Sequence, residues 1–381
     1  MLTNKQVLLI KTETTEGVAE TPSADTDACL LLKGGTPTPS GEKVGSDRLS
    51  ATLSKEPHKI GQLSMGLSVP CELRGGGIVG DVVNEPDFDP MLRACAMKKS
   101  VVVFLALGEV TGGIFAAGET VTGGTSLATG KVVGYARSGL LLEEVVGVFV
   151  DAESVSGGTS SASATSLANP VSGWQYMPAS ADVDKPSLTA VRYHDGHKFV
   201  LAGARGTFVV NFEVGDIAKL DFTLNGRWAN PVQEDNPTPV LNITDAPLVV
   251  DMGLAVGPYE PMGVTALSLD IANTVSKAQD VNAADGVRAF RITDRTPVGG
   301  MDPEAESLGN YNPWQDWKGG ETSALSFALG SVAGNRIFVS MPKVQRTSVA
   351  YGDREGLVSY DESFELKRDV VGDDELRLVF F

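Results

Sequence analysis

Histidine and cysteine are both scarce: the chain of 381 residues has three of each. Cys29, Cys71 and Cys95 are widely separated and form no CxxC pair, so neither a disulfide framework nor a zinc site is expected. Cys71 and Cys95 read as fillers of small apolar positions. His194 and His197 flank Asp195-Gly196, a strong two-residue hairpin signal, and no third metal ligand lies nearby in sequence. Solvent-exposed hairpin flanks are the expectation there, and His58 follows Pro57 in a polar loop. Long apolar runs are missing too. Val101 to Leu107 is far shorter than the roughly 20 residues a membrane helix needs. The opening MLTNKQVLLIKTE has only four apolar residues in succession, so no secretory leader is expected and the chain should first reside in a cytoplasm. Basic charge is in deficit, with 31 Lys and Arg against 48 Asp and Glu and a net charge of −17. A nucleic-acid binder needs basic patches to neutralise phosphates. This chain could surround DNA but should not grip it.

Catalytic patterns are equally thin. Gly124-TSLAT-Gly130-Lys131 imitates a phosphate-binding loop but has one residue too many between its glycines. Val132 also stands where a Ser or Thr must reach magnesium. There is no Gly-x-Ser-x-Gly elbow and no evident Cys–His pairing. The acidic runs Glu143-Glu144 and Asp373-Asp374-Glu375 read as solvated turns. No enzyme, cofactor or metal is expected.

What is present is β patterning in a composition with 42% hydrophobic and 21% charged residues, ordinary for a globular protein. Over 60–73, Leu63, Met65, Leu67, Val69, Cys71 and Leu73 alternate with polar or small residues, which predicts one long strand with a single buried face. Pro70 places that strand at an edge or a bulge. Residues 188–201 predict a hairpin around Asp195-Gly196. Phe208, Val210, Phe212 and Val214 then alternate with Thr207, Val209, Asn211 and Glu213, and Leu220, Phe222 and Leu224 follow a turn near Gly215-Asp216. Two short helices are expected. One starts with Asp89 as N-cap and Pro90 at the first helical position, the other with Asn312-Pro313.

Two repetitions organise the chain. An alternating strand, a helix signal, a hairpin and paired strands recur in the same order in both halves, the second set running through 287–292, 313, 324–329, 336–339 and a turn at Gly352-Asp353. This reads as a tandem duplication of a domain of about 120–150 residues, with convergent β-meanders as the alternative. A sharper repeat links Phe115, Glu119, Val121, Gly123, Gly124, Thr125 and Ser126 to Phe149, Glu153, Val155, Gly157, Gly158, Thr159 and Ser160, each 34 positions on (Phe115 to Phe149). Two copies do not make a solenoid. They predict a small β module of two similar hairpins over 108–170, inserted at an exposed loop and placed on the outside of a particle. The expected division is 1–107 plus 171–245, the insert 108–170, and 246–381.

Glu13-Thr14-Thr15-Glu16-Gly17-Val18 resembles the E-T-T-x-G-T opening of phage tail tube proteins, with Val18 departing from Thr. LSMGLSVPCELRG at 63–75 and PMLRA at 90–94 resemble that family's long strand and short helix. Residues 198–225 resemble its signature hairpin, with a turn at Gly203-Ala-Arg-Gly206. Ser268 to Asn273, Ile292 to Thr296 and Met341 to Gln345 resemble its later motifs. The likeness covers both ends and most of the middle, leaving out 108–170, which looks like a decoration module of phage structural proteins.

The resemblance implies a mainly antiparallel β-sandwich or barrel-like tail tube fold whose sheets join edge to edge into rings. The rings stack into a tube in the virion that meets the tape measure and other tail proteins and lets DNA slide through. A duplicated chain then favours trimers of pseudo-sixfold symmetry over hexamers. Exposed sheet edges need partners, and a head-to-tail ring supplies them. Glu213 and Asp221 are candidate lumen-facing acids. Lys33, Gly34, Gly35, Pro37 and Pro39 are a candidate loop for contacts between rings. The alternatives are another virion structural protein, such as a capsid decoration or glycan-binding spike, and a secreted glycan-acting enzyme.

Overall fold

A computed structural model of the protein describes residues 2–49, 51–136, 139–257 and 259–381. Among the described residues the fold is mainly β, with antiparallel sheets arranged as a β-sandwich and two short α-helices. No helix among the described residues is long and apolar enough to cross a membrane.

A central sheet carries most of the architecture. Its strands are β1 (Pro37–Val44), β2 (Lys59–Glu72), β3 (His197–Glu213), β4 (Lys219–Arg227), β5 (Ala266–Asp270), β6 (Val298–Met301), β7 (Ile337–Arg354) and β8 (Leu357–Leu366). Hydrogen-bonded neighbours run β1-β2-β4-β3 and continue through β5-β6-β8-β7. The same order of four strands therefore occurs twice, and the two sets meet where β3 pairs with β5.

The period-two pattern sets which face is buried. Met65, Leu67, Val69 and Cys71 of β2, Phe208, Val210 and Phe212 of β3, and Leu220, Phe222 and Leu224 of β4 all point inward. Phe222 packs on Phe208 at 5.8 Å and on Phe88 at 6.2 Å between ring centroids. Each such ring contributes about 1.5–3 kcal/mol by leaving water. One continuous core draws on both halves, from Leu8 and Ile10 through Leu220 to Phe364 and Phe380. The facing layers come from Gln6–Thr12 paired with Leu188–His194, and from Met97–Ala106, Val171–Pro178 and Arg377–Phe380.

The long strands β3 and β7 each serve two layers. β3 pairs first with Leu188–His194, then with β4 and β5, and the transition is a bulge at 202–205. Gly203 sits there at φ +62°, a conformation glycine adopts without Cβ strain. The expected turn at 203–206 is therefore a bulge inside one strand. Buried Glu13 explains it, because its carboxylate accepts from the Gly203 and Gly17 N–H groups and from the Ser187 and Thr189 hydroxyls, all within 2.6–2.8 Å. The Glu-Thr-Thr opening is thus a clamp on the bulge.

Helix α1 (Asp89–Ala94) forms as expected, but Asp89 is its first residue and Phe88 holds the cap position. The Asp89 carboxylate instead accepts the Tyr176 hydroxyl at 2.6 Å inside the core. Helix α2 (Pro313–Gly319) follows its signals closely: Asn312 caps the Gln315 N–H and Gly320 ends the helix in the left-handed region. In the second half the pairing differs from the sequence reading. Val287–Arg295 leaves the central sheet as a hairpin with Asn273–Gln279, and β6 takes the place opposite β8. The last hairpin turns at Glu355-Gly356, both at positive φ, so Gly352-Asp353 lies within β7.

Residues of the 115–160 repeat have their own core, with Phe115, Val121, Phe149 and Val155 buried together. The opposite face of this module's sheet, Val133, Ala136 and Leu141, packs on Phe338 and Phe381 of the second half.

Candidate functional site

The side of the central sheet that faces away from the core is acidic. Alternation places Glu72 of β2, Asp221 of β4, Glu213 of β3, Asp270 of β5 and Asp361 and Glu365 of β8 on this face, because their neighbours fill the core. Glu213, Asp270, Asp361 and Glu365 line a groove of about 700 Å³ together with Asn211, Ser268 and Ser363. Two lysines near this side are engaged, Lys219 with Asp216 at 2.7 Å and Lys367 with Glu365.

Both acids expected from the sequence are here. Asp221 stands opposite Val209 and Pro70, and Glu213 opposite Ala266 at the end of β3. The sequence reading missed Asp270, Asp361 and Glu365. The signal for β8 was obscured because a charged residue, Glu362, occupies the core side. It is held there by Arg346 at 2.7 Å and by the Tyr311 hydroxyl at 2.8 Å.

Among the described residues the sheet ends in two margins with unpaired backbone. At one end, Pro37 and Pro39 lie in strand β1, paired with Leu67 and Met65. They are not in a loop, as expected, and the reason is geometric. The Pro70 carbonyl accepts from Leu32 N–H on the side of β2 away from β4. A residue's N–H and C=O share one side of a strand, so even-numbered β2 residues face β1 and odd-numbered ones face β4. Leu67 and Met65 thus bond β4, and their partners Pro37 and Pro39 direct their backbone outward, where proline's missing N–H breaks no ladder. Pro70's own missing donor also faces away from β4. Of the remaining segment, Gly34 gives its carbonyl to Arg192 Nη2 at 3.1 Å, while Gly35 and exposed Lys33 lead into β1.

At the other end, β7 pairs with Thr322–Leu329 up to Gln345 and with β8 to its tip. Tyr360 N–H donates to Pro303 and Val358 accepts from Ala305, both away from β7. Their partners Tyr351 and Asp353, and Val349 by alternation, therefore point their backbone groups outward. Among the described residues no other strand pairs with that side of 349–354.

The two copies of the 115–160 repeat form a reciprocal arrangement. The Glu119 carboxylate accepts from Ala116 N–H in its own copy, and from the N–H and hydroxyl groups of Thr159 and Ser160 in the other. Glu153 accepts from Val150 N–H in its own copy, and from Thr125 and Ser126 in the other. A Cβ on Gly123 would lie 2.5 Å from Glu153 Oε2, and one on Gly157 2.5 Å from the Ser160 hydroxyl and 2.9 Å from Glu119. Those glycines make room for the carboxylates. Gly124 and Gly158 close the same turns, with their N–H groups bonded to Ser154 and Thr120 of the opposite copy. The strands also cross-pair, with Val121 opposite Gly157 and Val155 opposite Gly123.

The family model described as phage tail tube protein matches residues 3–367. No curated protein matches the chain. Carrying this match over nearly its whole length on an antiparallel β-sandwich, the chain belongs to the phage tail tube protein family, a structural component of the virion tail.

Proposed function

We propose that copies of this chain close into rings through their sheet margins, that the rings stack into the tail tube, and that the acidic face lines the conduit through which DNA leaves. One observation carries the reading: the two four-stranded sets are already joined edge to edge by β3 and β5, so the chain contains one ring joint within itself. A unit that holds two of these sets favours a ring of three chains with pseudo-sixfold symmetry over one of six. The division into 1–107 plus 171–245, 108–170 and 246–381 fits this reading, with the Gly-Gly-Thr-Ser module as a decoration outside the tube. Assembly in the host cytoplasm and contact with the tape measure protein belong to the same proposal.

The acids give the conduit its property. Carboxylates repel phosphates, and screening limits this to about 10 Å at ordinary salt, within reach of a duplex in a channel only slightly wider than itself. Glu213 and Asp221 take part together with Asp270 and Asp361. Negative-stain micrographs of concentrated protein test the proposal. Hollow tubes of uniform diameter are the expected result, and discrete particles that never stack would reject it.

A further inference from the structure

From the joint inside the chain, and resting on the ring reading above, we infer the joint between chains: the Pro37–Pro39 edge of one copy pairs antiparallel with the Val349–Tyr351 edge of the next. The two sets of strands can be matched residue by residue. Leu201 to Ala204 of β3 bulge against Ala190 and Leu188, as Met341 to Val344 of β7 bulge against Leu325 and Ser323. Ala204 thus corresponds to Val344 and Gly206 to Arg346. Their partners, Leu224 and Phe364, then correspond as well. Leu67 stands opposite Leu224 and Gly299 opposite Phe364. Pro37 stands opposite Leu67 and Leu269 opposite Gly299, so Pro37 corresponds to Leu269. By the same route Val210, opposite Leu220, corresponds to Tyr351, opposite Tyr360. Within the chain Val210 pairs with Leu269. Between chains Tyr351 pairs with Pro37, and Val349 with Pro39.

Hydrogen-bond supply supports this partner over others. In the internal joint Ile271 N–H donates to the Phe208 carbonyl, so Phe208, Val210 and Phe212 face β5. Their counterparts Val349, Tyr351 and Asp353 carry both N–H and C=O on the open side. The β1 edge is poor in donors, since Pro37 and Pro39 offer carbonyls only. Two β1 edges facing one another would have almost no donors between them. A β1 edge facing β7 receives two N–H groups, from Val349 and Tyr351, onto the Pro39 and Pro37 carbonyls. The prolines therefore exclude a symmetric dimer through β1 and direct a head-to-tail contact, the kind that closes a ring.

Val209 stands directly opposite Asp270 in the internal joint, and their counterparts are Ala350 and Thr38. A facing antiparallel pair brings Cβ atoms to about 4.5–5.5 Å, close to disulfide range. The test is Thr38→Cys with Ala350→Cys in the full chain, oxidised after assembly and run without reductant. The expected result is a ladder of covalently linked chains, with each single variant staying monomeric on the gel. In the unsubstituted protein, hydrogen exchange at Val349 and Tyr351 should slow at least tenfold on assembly. Tubes or rings in micrographs without the ladder, or without slowed exchange at these amides, overturn the joint while leaving the ring reading intact. No assembly under any condition overturns both.

Discussion

Glu119 and Ser160, from different copies of the 115–160 repeat, are joined by a hydrogen bond of 2.7 Å from the serine hydroxyl to the carboxylate, and Glu153 and Ser126 repeat the relationship at 2.9 Å. Each copy therefore depends on the other for its turn. The module folds as a pair. This explains why two copies suffice without the stacking a solenoid requires.

Acid should loosen this module first. Burial alone would push the Glu119 carboxyl up, but the Ser160 hydroxyl and the Ala116, Thr159 and Ser160 N–H groups outweigh it and hold the group at about 2, below its ordinary 4.5. Glu153 is lowered in the same way: burial opposes, and the Ser126 and Val150 N–H groups prevail. A carboxyl with a depressed folded-state pKa contributes stability that is complete above about pH 4.5 and is lost as pH falls toward 2. Limited proteolysis within 108–170 should accelerate across that window. Glu119→Gln with Glu153→Gln should cleave faster already at pH 7, with a flatter pH profile. An unchanged profile in the double variant would show that these carboxylates are not the acid-sensitive groups.

Glu13→Ala strips the acceptor from the Gly17 and Gly203 N–H groups and from the Ser187 and Thr189 hydroxyls at once. Leaving buried donors unpaired costs about 1–3 kcal/mol for each group that water cannot reach. The urea midpoint should fall by an amount equivalent to about 2–4 kcal/mol. A fall below about 0.5 kcal/mol, the range of ordinary surface substitutions, would mean the bulge does not need this clamp.

Arg346→Met isolates the Glu362 carboxylate, which is fully buried, from its 2.7 Å partner. Removing one member of a buried pair typically destabilises by about 3–5 kcal/mol, whereas replacing both with apolar residues is often neutral. Arg346→Met should therefore lower the melting temperature sharply, and adding Glu362→Leu should restore most of it. If the second change gave no recovery, the loss would come from packing around the Tyr311 and Tyr360 rings, which stand 6.1 Å apart beside the pair.

Charge reversal on the acidic face separates assembly from transport. Asp221→Lys with Asp270→Lys and Asp361→Lys should leave tube length normal in micrographs, because these side chains lie on the face and not on a margin. Genome release in an infection assay should slow, and more so at low ionic strength, where screening is weaker. Release at the normal rate would refute the sliding role of the face.

The sequence by itself determined the β class, the long alternating strands, the hairpin at Asp195-Gly196, the Asn312 cap and the two repeat copies. These are local: a period of two, a turn dipeptide or a capping side chain acts within a few residues, so its effect is visible in order along the chain. The tertiary structure alone decided which strands became neighbours. Glu13 anchors a bulge 190 residues away, Glu362 hides on the core side because Arg346 reaches it, and β5 pairs with β3 to join the two sets of four strands. Backbone hydrogen bonding is indifferent to sequence distance, so an unpaired margin and its partner can be recognised only once the whole sheet has been laid out.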